Sequence, residues 1–262
     1  MRSGKPVAVF AVLLVVSFAT MKAMPSDTLL AALLQEAVLA LVALLAVGFA
    51  VPDALKRCTQ SVQQRNVVRF ATIALLLTGL VGGAITLLAW LFAGGGTMAG
   101  FASTALPSTA DLMGNLLLLL GICLLTGLYE ESFMRVLGIE AFERALDAKR
   151  AILAPAALFA LLHVGAPDVS AGQLVLLQAA LKFGQALLFG VILGALYART
   201  RRLWPCALIH AGFDVLYMAP NVLLTGTMPE TYASGAVGDT VLLAVSVLML
   251  AGIVLKIRKE IA

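Results

Sequence analysis

Two histidines occur in 262 residues, His163 and His210, and each sits in a strongly apolar stretch. A third apolar stretch carries Glu130, Glu131 and Arg135 in the run Tyr-Glu-Glu-Ser-Phe-Met-Arg. Ionisable side chains in hydrocarbon cost several kcal/mol, so they are kept for chemistry, transport or a buried polar lock. Together with Asp214 the set allows hydrolysis. Glu130 and His163 can activate a water, while His210 and Asp214 orient a carbonyl or stabilise its oxyanion. Histidine and carboxylate are also zinc-type ligands, which make a bound water acidic. No H-E-x-x-H motif is present, so a metal would need Glu130, His163, His210 and Asp214 brought together from separate helices. On the residues alone the cofactor stays open, between none and a divalent ion such as zinc.

Helical spacing groups these residues further. Glu131 and Arg135 are four apart, in the acid-before-base order that favours an ion pair, so Arg135 is expected to hold Glu131 ionised. Glu130 is turned about 100° away and can point into a cavity. Phe159 with His163, and His210 with Asp214, repeat the four-residue spacing. Counted from one membrane face, His163 lies at about 18 Å depth and His210 to Asp214 at roughly 10–16 Å. The plain alternative is structural: glutamates at the membrane interface, and histidines satisfied within a core.

The elements that must position these groups are membrane helices. The chain is 61% apolar and 12% charged, with a mean hydropathy of +1.03, against roughly 25% charged residues in soluble domains. Apolar windows at about 6–24, 28–51, 70–93, 112–134, 151–164, 173–198, 203–220 and 239–256 are each read as a helix against the ~30 Å hydrocarbon core. The fifth window is short for a full span, and Gly165 and Pro167 follow it. The first is read as an uncleaved helix rather than a secretory signal, because Lys22 would fall at any cleavage site. Fifteen of the eighteen basic residues cluster on alternate connections, which puts both termini in the cytoplasm. The expectation is an all-α polytopic bundle of about eight helices forming one domain over residues 1–262, with its motif-bearing core at about 112–220.

Other features carry less. The net charge of +4 follows this topology and gives no argument for nucleic acid as a partner. Cys58, Cys123 and Cys206 form no metal or redox spacing and are expected as free thiols, two of them in lipid or protein interior. Gly190 and Gly194 form a G-x-x-x-G pair suited to close helix packing. Glu36 and Lys182 fall at similar depths of roughly 12–14 Å and are candidates for a buried pair. Gly94 to Gly96 and the segment up to Asp111 read as an outer loop, and residues 59–69 as an inner polar connection.

Glu-Glu-x-x-x-Arg at 130–135, Phe-x-x-x-His at 159–163 and His-x-x-x-Asp at 210–214, in that order on successive apolar segments, resemble the CPBP group of intramembrane proteases. That group includes the type II CAAX prenyl endopeptidases and the bacterial Abi or bacteriocin-processing proteins. The resemblance implies that Glu130 and His163 activate water, that Glu131 and Arg135 support the site, and that His210 and Asp214 serve the oxyanion. Many members carry asparagine where this chain has Asp214. An ionised aspartate cannot donate to an oxyanion, so Asp214 must be protonated, orient His210 or bind metal. The expected function is an intramembrane endopeptidase in a bacterial inner membrane, with the bilayer and a membrane-associated peptide or protein as partners. A non-catalytic immunity or scaffold protein and an ion-coupled transporter are the alternatives.

Overall fold

The computed structural model describes residues 4–24, 26–58, 60, 64–92, 107–164, 170, 172–229 and 232–261, and all regular structure among them is helical. The elements are α1 (Lys5–Ala23), α2 (Leu29–Ala50), α3 (Pro52–Cys58), α4 (Arg65–Phe92) and α5 (Thr109–Glu130). A π-helical segment, Glu131–Ile139, continues α5 into α6 (Glu140–Phe142). Then come α7 (Ala148–Val164), α8 (Gln173–Thr200), α9 (Leu203–Thr225) and α10 (Val237–Ile261).

Each of the eight apolar windows forms a helix, with ends fixed by local chemistry. Thr28 caps α2 by accepting from the Ala31 N–H at 3.2 Å. Ser108 and Asp111 cap each other's backbone at the start of α5, satisfying donors that a helix N-terminus leaves open. Among the described residues seven helices are long and apolar enough to cross a membrane, α5 doing so together with its continuation, which makes this a multi-pass integral membrane protein. The exception is α7, whose 17 residues span about 25 Å. It bears His163.

Packing runs from α2 to α5, α9, α4, α10, α8 and α7, and α7 returns to the π segment. All nine residues of that segment are buried. It touches α1, α2, α7, α8 and α9, so the widened turn lies at the meeting point of the bundle. The Gly190–Gly194 pair packs as expected. A Cβ on these residues would stand 3.0 Å from Ala156 Cβ and 2.9 Å from Ile152 Cγ2 of α7.

The basic connections gather at one end of the bundle. Arg57 reaches Glu140 at 2.6 Å, and Arg201 reaches Glu140 at 3.2 Å and Glu143 at 2.7 Å. Arg202 donates to the Arg57 carbonyl at 2.7 Å. At the same end Lys5 covers the Phe49 ring, tying the start of α1 to the end of α2, and Lys256 covers Phe70, tying α10 to α4. Three consecutive basic connections thus meet directly, on the one side where their alternation along the chain places them. The three cysteines are free and all are buried, one more than expected. The expected outer loop around Gly94 to Gly96, Gly165 and Pro167 after α7, and residues 59 and 61–63 of the inner connection lie outside the described residues.

Candidate active site

The site begins with a close helix crossing. Gly127 of α5 lies against the backbone of α9, where a Cβ would stand 2.5 Å from the Ala207 carbonyl oxygen. One turn further along each helix come Glu131 and His210. His210 Nδ1 and Glu131 Oε1 are 2.8 Å apart. An ionised carboxylate only accepts, so Nδ1 carries the hydrogen. Glu131 Oε2 stands 3.0 Å from Arg135 Nε, with the two side chains 0% and 1% exposed. The expected ion pair is therefore present, and its second carboxylate oxygen fixes the imidazole of another helix.

Arg135 is held on its other side by an aromatic face. Its guanidinium carbon lies 4.7 Å from the Phe159 ring centroid, a cation–π arrangement. Nη1 and Nη2 make no hydrogen bond among the described residues. The Phe159 ring also packs against His163 with centroids 4.1 Å apart and planes tilted by 46°, and meets His210 edge-on at 6.2 Å. One phenyl ring thus touches the brace and both histidines.

The remaining edge of His210 faces carboxylates. Nε2 lies 3.4 Å from Glu130 Oε2 and 3.4 Å from Asp214 Oδ2. Glu130 Oε2 is buried and makes no hydrogen bond among the described residues. His163 Nδ1 lies 2.9 Å from the Phe159 carbonyl oxygen. Since a carbonyl accepts, Nδ1 is the donor, and Nε2 of the neutral ring keeps its lone pair. Glu130 and His163 both line a cavity of about 180 Å³ whose other walls are almost wholly apolar. A carboxylate oxygen and an imidazole beside the same small cavity can hold a water between them.

The six ionisable motif residues and Phe159 therefore fall in one region. Glu131, Arg135 and Phe159 brace the site, Glu130 and His163 face the cavity, and His210 with Asp214 joins the two groups. The expected Glu36–Lys182 pair does not form. Lys182 donates to Gln185 at 3.1 Å beside the Tyr232 ring, and Glu36 lies near Thr126, one turn before Glu130. Two residues escaped the sequence reading. Phe189 of α8 packs edge-on against His210 at 4.8 Å, and Ser17 of α1 lines the cavity. Neither stands in a charged or spaced pattern, so the sequence held no signal for them.

Among the described residues no three His, Cys, Asp or Glu side chains are disposed around one ion. Each histidine has its Nδ1 committed within the protein. The donor set is therefore not assembled as a zinc-type shell, which calls for three or four converging ligands.

Residues 112–216 match the family described as Rce1-like, type II CAAX prenyl endopeptidase Rce1-like. The match runs from the first turn of α5 into α9 and includes all three motifs. It agrees with the CPBP resemblance carried by their spacing. No curated protein matches the chain.

Proposed function

We propose, from the premise that residues 112–216 form a CPBP-type segment of the Rce1-like family, that the protein is an intramembrane endopeptidase whose water is activated by Glu130 and His163. The observation that carries this reading is the shared cavity of Glu130 and His163, with Glu130 Oε2 making no hydrogen bond among the described residues and His163 Nε2 left as an acceptor. Water bound there passes a proton to Glu130, and the hydroxide adds to the peptide carbonyl. His163 Nε2 accepts from the same water and fixes its direction. The oxyanion is met by Nε2–H of His210 in its doubly protonated form, with Asp214 orienting that edge. When the carbon–nitrogen bond breaks, Glu130 returns its proton to the leaving amine, so the carboxylate is regenerated and one water is consumed. Water exclusion by the apolar wall strengthens each of these electrostatic contacts.

By the positive-inside rule the basic end faces the cytoplasm, and the substrate is a membrane-associated peptide or protein reached from that half of a bacterial inner membrane. The test uses protein reconstituted in vesicles and shown to be folded. Glu130→Gln and His163→Ala are expected to lower kcat by at least about 10² to 10⁴, the usual contribution of a positioned acid–base group. Full activity in both would sink the proposal and leave the cluster as a structural lock. Chelator treatment is expected to leave the cleavage rate unchanged, and loss of activity restored by zinc would overturn the direct-water mechanism.

A further inference from the structure

We infer that a second cavity, at the cytoplasmic end of the bundle between α4, α8 and α10, is a binding site for the phosphate headgroup of an anionic phospholipid. The inference stands independently of the endopeptidase reading. Three observations support it. First, the cavity measures about 180 Å³ and shares no lining residue with the one beside Glu130 and His163. Its polar groups are Asn66 of α4, Arg199 of α8 and Lys256 of α10, and the remaining walls are apolar. Asn66 is in the first turn of its helix, and Arg199 and Lys256 lie in the last two turns of theirs. All three therefore stand at the level of the membrane interface.

Second, the charge at this cavity has one sign. Two cations and one amide line it and, among the described residues, no carboxylate does. Four acidic residues at the same end are engaged on the connections instead, Asp53 with Lys56, Asp147 with Arg150, and Glu140 and Glu143 with Arg57 and Arg201. Lys256 Nζ lies 4.6 Å from the centroid of the Phe70 ring, which brings the ammonium of α10 back onto α4. Phosphate oxygens accept from ammonium, guanidinium and amide alike. Basic pockets between membrane helices on the cytoplasmic side are suited to such headgroups.

Third, the site continues into hydrocarbon. Asn66, Phe70, Ile73 and Leu77 follow one another at helical spacing on one face of α4, and Ile73 and Leu77 are 57% and 51% exposed. An acyl chain laid along this stripe begins beside the cavity. A free phosphate would meet the donors and leave the apolar walls uncovered, so a lipid is the occupant that uses both. Bound there, it joins the ends of α4 and α10, which lie outside the matched segment, to α8, whose Phe189 packs on His210.

The probe is dioleoyl phosphatidylglycerol, added to delipidated full-length protein in detergent and counted by native mass spectrometry, with dioleoyl phosphatidylcholine and inorganic phosphate for comparison. One phosphatidylglycerol is expected to bind at least about tenfold more tightly than phosphatidylcholine and to raise the melting temperature, as a ligand of the folded state does. Arg199→Gln combined with Lys256→Gln should weaken binding about thirtyfold, the worth of two cations at an anionic headgroup. Arg150→Gln, at the same end but outside the cavity, should not. If the double variant does not fold, the wild type decides: phosphatidylglycerol with a diazirine next to its headgroup should label α4, α8 and α10 at the cavity. Equal binding of the two lipids, undiminished binding by the double variant, or labelling elsewhere overturns the site. Stabilisation by inorganic phosphate alone, lost in the double variant, overturns the lipid as occupant.

Discussion

At the scale of single residues, two adjacent glutamates have been given opposite surroundings. Glu131 is held at close range by His210 at 2.8 Å and Arg135 at 3.0 Å, whereas Glu130 lines the cavity and its Oε2 meets His210 Nε2 at a longer 3.4 Å. Substitutions at these positions should therefore separate stability from activity. Glu131→Ala strands a buried guanidinium and is expected to cost about 3–5 kcal/mol of stability, measurable as a lowered melting temperature in detergent. Glu130→Gln is expected to leave that temperature nearly unchanged while removing activity. Asp214 gives a finer comparison. If it orients His210, Asp214→Asn keeps an acceptor near Nε2 and retains more activity than Asp214→Ala; equal loss in both would assign it a role that needs the charge. The motif residues were legible in the sequence because four-residue spacing on a helix is itself geometry. The 2.8 Å contact between Glu131 and His210 was not, since 79 residues separate them and no spacing rule spans two helices.

At the scale of elements, the site depends on how closely α5 and α9 approach. Gly127 is the contact, one turn before Glu131, and a methyl group there meets the Ala207 carbonyl. Overpacking of this kind costs about 1–3 kcal/mol, so Gly127→Ala is expected to lower both stability and kcat by parting Glu131 from His210. Wild-type kcat in the variant would show that the crossing does not position the site. The eight helices were readable because hydrocarbon demands long apolar runs. The π turn was not. An apolar run looks the same whether its backbone bonds close at four residues or five, and the departure from α geometry is decided by packing against five other helices. The shortness of α7 was visible, but its meaning needed the cavity that His163 lines.

At the scale of the whole molecule, charge sets orientation and also ties the bundle together. Arg57, Glu140, Glu143 and Arg201 join the connection after α2, the end of α6 and the junction of α8 with α9. All are partly exposed, so each pair contributes modestly and the value lies in the network. If the basic end is cytoplasmic, Lys5→Cys and Lys256→Cys should react with a membrane-impermeant thiol reagent only from the cytoplasmic side, and Ser108→Cys only from the other. Reversal of this pattern would invert the topology and move the site to the opposite half of the bilayer. The alternation of basic residues was fully legible in the sequence. That three of the connections form one ion network was not, because alternation fixes a side of the membrane and says nothing of neighbours within it.

The π segment has one more consequence, for tolerance to insertion and deletion. A π turn is an α-helix that has taken up one extra residue without extending its neighbours, so removing Ser132 would allow the segment to close as ordinary α-helix. The helices on either side would keep their places, while the buried residues of the segment would be redistributed around a narrower turn and Arg135 would follow Glu131 by three residues, not four. This stretch should accept substitutions of similar volume more readily than any change in its number of residues, which makes the length of the run, and not only its composition, part of the active site.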